Sequence, residues 1–128
     1  MSCEFGSRVR VTLFGQSHGE AVGAVLDGLP AGEEIDLSQA QAFLRRRAPG
    51  QAHATARVES DIPHVLSGLT DGHTCGAPLC ALIENTNARS GDYDSLKNRP
   101  RPSHADYTAF VKYQGFADAR GGGHFSGR

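Results

Sequence analysis

The chain has 128 residues, a net charge of −1, 38% apolar residues and 21% charged residues. That length suits one domain, or one piece of a larger one, with a modest core. The near-neutral charge gives no ground for nucleic acid or an anionic membrane as a partner, so any anion binding has to come from local clusters.

Residues 8–14 alternate, with Val9, Val11 and Leu13 on one face, and predict a half-buried strand. Gly15 to Gly19 break it. Residues 21–27 predict a second strand that ends at Gly28-Leu29-Pro30, and the two form a hairpin across a long loop. A helix follows, capped by Asp36 or Ser38, with Leu37, Ala40, Phe43 and Leu44 on one face. It ends in Arg45, Arg46 and Arg47, where cations suit the C-terminal dipole, and Pro49-Gly50 stop it. Residues 51–63 are polar and read as a mobile loop. Val65 to Leu69 and Leu79 to Ile83 read as short strands, 86–103 as an extended loop and 104–113 as a short helix. Strands and helices mix without a regular βαβ alternation, which makes the fold class α+β.

Cys3, Cys75 and Cys80 are too few for a disulfide framework and fit a reduced, cytoplasmic protein. The first ten residues carry no apolar stretch of the signal-peptide kind, and no apolar run approaches the roughly 18 residues of a membrane helix. His18, His53, His64, His73, His104 and His124 share no metal-ligand spacing. Sixteen glycines, mostly clustered, read as turns and close-approach sites. The glycine-rich residues 121–128 read as a loop leading onward, so the chain is expected to be truncated.

Four loops carry residues fit for chemistry. In Gly15-Gln16-Ser17-His18-Gly19 an imidazole stands between glycines directly after a strand. It suits proton donation near neutral pH, or it is an exposed histidine in a turn. Arg45-Arg46-Arg47 offers guanidinium forks for carboxylate or phosphate, or a solvated helix end. In Arg99-Pro100-Arg101-Pro102-Ser103-His104-Ala105-Asp106, two prolines space arginines ahead of a histidine. Asp106 there either orients His104 or caps the helix. Gly121-Gly122-Gly123 offers an anion-binding nest, with Ser126 and Arg128 as added donors, or a flexible loop. It matches neither the P-loop nor the dinucleotide fingerprint.

These stretches, in this order, resemble chorismate synthase. Residues 15–30 are similar to that family's N-terminal signature. The Arg-Arg-x-x-Pro-Gly-like segment 45–50, the spaced Gly68, Gly72 and Gly76, and Glu84-Asn85-Thr86 follow, as do Arg101-Pro102-Ser103-His104-Ala105-Asp106 and the ending Ser126-Gly127-Arg128. The likeness runs from about residue 8 to the last residue. Gln16 departs from the family's usual acidic residue. Residues 51–54 lack an arginine common in relatives, for which Arg57 is a substitute. His124-Phe125 replace an Arg-Ser.

The resemblance implies a layered α-β sandwich of the chorismate synthase type, present only in part, with residues 1–128 as the N-terminal part of a single domain. It implies a reduced-FMN-dependent 1,4-elimination of phosphate from 5-enolpyruvylshikimate 3-phosphate, in a family also associated with NADP. His18 would protonate the departing phosphate, and His104 would manage a proton of the reduced flavin. Arg46, Arg47, Arg57, Arg101 and Arg128 would hold anions, and His124, Phe125 and Ser126 would line the FMN. The whole protein would be a cytoplasmic homotetramer. The alternatives are a non-catalytic fragment, or a flavin- or phosphate-binding module.

Overall fold

The computed structural model describes residues 3–47, 61–85, 100–102, 104–123 and 125. Residues 51–60 of the expected loop over 51–63, the Pro49-Gly50 stop, Arg57, His124, Ser126 and Arg128 lie outside the described residues, as do 86–99. The chain divides into two compact units. One comprises residues 1–13 and 23–84, the other 14–22 and 85–128.

Strands β1 (Glu4–Phe5), β2 (Arg10–Gly15), β3 (Ala21–Asp27), β4 (His64–Ser67) and β7 (Leu79–Glu84) form one sheet in the order β1-β2-β3-β7-β4. A separate small hairpin pairs β5 (Leu69–Thr70) with β6 (His73–Thr74). The two expected N-terminal strands are neighbours, in keeping with the expected hairpin. The expected half-buried face is instead open among the described residues: Val9 precedes β2 at 41% exposure and Leu13 is 49% exposed. A third strand, β1, pairs antiparallel with β2 through Phe5 and Val11, and two residues are too short to show a period in the sequence. β4 pairs antiparallel with β7, and its register shifts between Val65 and Ser67. β4 begins one residue before the expected Val65–Leu69 run and ends at Ser67, while Leu69 belongs to β5.

The small hairpin is a local product of its sequence. Asp71 and Gly72 both have positive φ, 49° and 78°, which a two-residue type I′ turn requires. Asp-Gly is among the few dipeptides that adopt it readily. Residues 32–35 then align with β6: Gly32 N–H donates to the Thr74 carbonyl, Thr74 N–H to Glu33, and Ile35 N–H to Gly72. Thr74 is 4% exposed. Its hydroxyl donates to the Pro30 carbonyl at 2.6 Å and accepts from Glu33 N–H at 2.9 Å. Thr74→Val keeps the shape and removes both bonds. It should destabilise the chain by about 1–3 kcal/mol, read as a lowered urea midpoint with an unchanged slope.

Helix α1 runs Leu37–Leu44. Asp36 is its N-cap: the carboxylate accepts from the backbone N–H groups of Ser38 and Gln39 and from the Ser38 hydroxyl, and these bonds lower its pKa. Ser38 is thus a partner of the cap, inside the helix. Arg45–Arg47 continue as a single 3-10 turn. The expected apolar face is open among the described residues, with Leu37 42% and Phe43 66% exposed. Helix α2 spans Asp106–Lys112, shorter than expected at both ends. Ala109, on α2, is the one apolar residue buried among the described residues. No helix there is long and apolar enough to cross a membrane.

Candidate active site

Among the described residues, the second unit contains four of the expected site residues: His18, Arg101, His104 and Phe125. Arg46 and Arg47 belong to the first unit. Arg46 is exposed, with its guanidinium carbon 4.9 Å from the centre of the Phe43 ring.

His18 is buried, at 7% exposure. Backbone turns on both sides explain how a polar ring is tolerated there. Ser17 N–H donates to the Gly123 carbonyl at 2.8 Å. The Ser17 hydroxyl lies 3.0 Å from His18 Nδ1, accepts from Gly122 N–H at 3.0 Å, and reaches the Arg120 carbonyl at 3.3 Å. The imidazole rests against Gly121, whose φ is +58°. A Cβ there would fall 2.7 Å from Ser17 Oγ and closer still to Nδ1 and Cε1 of the His18 ring. Only a residue without a side chain allows the turn to meet the ring this closely.

The loop that carries His18 is held from a second direction. Asn85 Nδ2 donates to the carbonyls of Gln16 (3.1 Å) and Gly19 (2.8 Å), and Asn85 N–H donates to Glu20 at 2.8 Å. Ser17 and Asn85 were visible in the sequence only as members of the quoted motifs. Neither had a role until the fold supplied their partners.

Arg101 and Asp106 form a two-pronged ion pair, Nε to Oδ2 at 2.8 Å and Nη2 to Oδ1 at 2.9 Å, and Arg101 N–H adds a third bond to Oδ2 at 2.9 Å. This corrects both sequence expectations for Asp106. The N-cap of α2 is Ala105, without a side-chain bond, and the hydrogen-bonding partner of the Asp106 carboxylate is Arg101, not His104. Arg101 Nη2 also donates to the Gly121 carbonyl at 2.5 Å. A second pair joins Arg120 to Asp118, with both prongs at 2.9 Å.

The pairs leave an electrostatic mark. Hydrogen bonds from Arg101 hold the Asp106 carboxyl at about 2. Bonds from Arg120 likewise lower Asp118 and raise Arg120. Because the folded Asp106 value is depressed, the stability from its pair is present above the ordinary carboxylate range and fades as pH falls through about 2. A carbon-13 carboxylate titration should find the Asp106 midpoint near 2, and Arg101→Lys should move it up toward the usual range.

A cavity of about 1100 Å³ opens in this unit. Its walls include Arg101, His104, Tyr107, Phe110, Arg120 and Phe125. Tyr113 backs Phe125, with ring centres 6.1 Å apart. His104 is exposed. His18 is not a wall residue, but Gly121, which its ring abuts, is one. The two histidines thus occupy different settings, one seated among backbone turns and one on an open wall.

Comparison with known proteins agrees with the resemblance. A relative from Chitinophaga pinensis named chorismate synthase is 50% identical over 97% of this chain and 37% of its own length. Its namesakes from Porphyromonas gingivalis and Thermococcus kodakarensis are 52% and 46% identical, over 96% of this chain and 33% and 35% of theirs. The chain therefore spans about a third of the length of these curated relatives. A solved structure titled "Crystal Structure of Chorismate Synthase" superposes with a TM-score of 0.55 and 23% identity, over 84% of this chain and 25% of that one, which places the fold. The family model for chorismate synthase matches residues 9–128, and the chain belongs to that family.

Proposed function

We propose that this chain carries the histidine acid–base groups of a chorismate synthase. That enzyme converts 5-enolpyruvylshikimate 3-phosphate to chorismate and phosphate. The observation that supports it most is the contrast between the two histidines: His18 is fixed in a glycine and serine seat, while His104 lines a roomy cavity. A proton donor to a leaving group needs a fixed ring, and a group that works beside a cofactor needs room for it.

The cavity fits a flavin in size and lining. About 1100 Å³ is at or above the span of ordinary small-molecule sites. Tyr107, Phe110 and Phe125 offer aromatic surface, while the two pairs on the wall, Arg101 with Asp106 and Arg120 with Asp118, offset each other's charge. Reduced FMN, when bound, supplies an electron-rich ring beside the substrate. In the elimination, the carbon–oxygen bond to phosphate breaks and phosphate leaves with that electron pair; a ring carbon–hydrogen bond breaks, its proton passing to a base that the bound flavin would supply, and its electrons shift the ring double bond and add one more. His18 gives its proton to the departing phosphate oxygen, where negative charge grows. His104 holds a proton next to the flavin. The resemblance to the family makes Arg46, Arg47, Arg57, Arg101 and Arg128 the candidates for balancing the substrate's two carboxylates and phosphate. His124 and Ser126 join Phe125 along the flavin. The same reading carries a cytoplasmic homotetramer for the whole protein.

A chimera tests it: this chain replaces the corresponding third of the Chitinophaga pinensis relative. Assayed without oxygen, with reduced FMN and substrate, it should release phosphate at a rate of the same order as the parent. A folded chimera that binds flavin and releases no phosphate would favour a binding module instead.

A further inference from the structure

We propose that Asp106 is a positioning residue for His18, acting through Arg101 and the turn at Gly121. Three contacts in series make the link. The Asp106 carboxylate takes three donors of Arg101: its backbone N–H at 2.9 Å, Nε at 2.8 Å and Nη2 at 2.9 Å. The guanidinium so oriented extends Nη2 to the Gly121 carbonyl at 2.5 Å. Gly121 in turn stands against the His18 ring, and its neighbour Gly122 donates to the Ser17 hydroxyl that faces His18 Nδ1.

Each link is directional. A guanidinium held at two points by a carboxylate has its plane fixed, so its remaining direction of donation is fixed too. Gly121 has φ +58° in a segment of three glycines, which set few limits on their own backbone. The carbonyl bond from Arg101 supplies a restraint that the glycines lack. Arg101 and Asp106 are only partly exposed, their side chains 22% and 28%, so water competes weakly for the pair. The nearby pair of Arg120 with Asp118 restrains the turn's first residue, and Gly123 N–H closes it onto the Arg120 carbonyl at 3.0 Å. Arg101 grips its middle at the Gly121 carbonyl, and the Ser17 hydroxyl holds the next residue at Gly122 N–H.

The inference rests on the reading of His18 as the acid, and its test separates the two. The first measurement is the nitrogen-15 spectrum of the imidazoles in the 128-residue chain, with His73 of the other unit as internal reference. Asp106→Asn keeps the size and loses the two-pronged charged contact. It should shift and broaden the His18 ring signals and leave those of His73 in place. Arg101→Lys, whose single ammonium cannot hold Asp106 at two points and still reach Gly121, should do the same. Asp106→Glu should restore part of the native His18 signal.

The second measurement is turnover in the chimera. Asp106→Asn should lower kcat about ten- to a hundred-fold and change KM much less, the pattern of a misplaced reacting group. His18 signals that stay put in both variants would overturn the positioning role, whatever the turnover. Moved His18 signals with unchanged kcat would overturn the acid role of His18 and leave the structural link standing. If Asp106→Asn also disturbs His73, the loss is global, and Arg101→Lys then decides the question.

Discussion

His18→Ala in the chimera is expected to lower turnover by about two orders of magnitude or more, with FMN affinity almost unchanged. The seat explains both halves of that expectation. The ring is held by Ser17 and the 120–123 turn, so removing it takes away a fixed donor and leaves the cavity walls intact. His104→Ala should slow turnover too, but it should also disturb the reduced-flavin spectrum, because His104 belongs to the cavity wall. Anaerobic spectra of the two variants, recorded with saturating substrate, compare them directly. Identical spectra would end the division of roles. Near-normal turnover of His18→Ala would end its assignment as the acid.

Gly121→Ala is expected to have the next largest effect. One methyl group is added, at positive φ, into the His18 ring and the Ser17 hydroxyl. The strained backbone costs about 1–3 kcal/mol, and the displaced ring should cost about a hundred-fold in turnover. Gly32→Ala is the matched comparison. Its φ is +90°, yet no atom lies within 4 Å of the added carbon. That variant should lose about 1 kcal/mol and keep its turnover. Equal losses of activity in both would show that the glycines matter for backbone conformation alone, and that the seat of His18 does not.

Much of the framework was legible in the residues. Strands β2 and β3 showed as alternation and bounded apolar runs, α1 through the Asp36 cap, and His18 through its glycine neighbours. The hairpin at Asp71-Gly72 was not read, because strands of two residues show no period of their own. Other features were not readable, for a physical reason. Ser17 meets Gly123, Arg101 meets the carbonyl of Gly121, and Asn85 meets Gln16 and Gly19. In each of these contacts at least one partner is a main-chain group, which every residue possesses, so the sequence carries no mark of the match. Asp106 shows the same limit from the other side. Capping and His104 were both reasonable partners by distance along the chain, and the bond went to Arg101, five residues before it.

The scarcity of buried apolar residues has a thermal consequence. Ala109 is the one apolar residue buried among the described residues, while Phe5, Leu66, Phe110 and Phe116 each stay more than half exposed. The heat capacity gained on unfolding comes chiefly from newly wetted apolar surface, and closed domains gain about 12–15 cal/mol/K per residue. Apolar surface that is already wet cannot contribute. The increment for the 128-residue chain should therefore fall below that range, and its unfolding enthalpy should change little with temperature. Its stability should trace a shallow arc from cold to warm, with no steep dome.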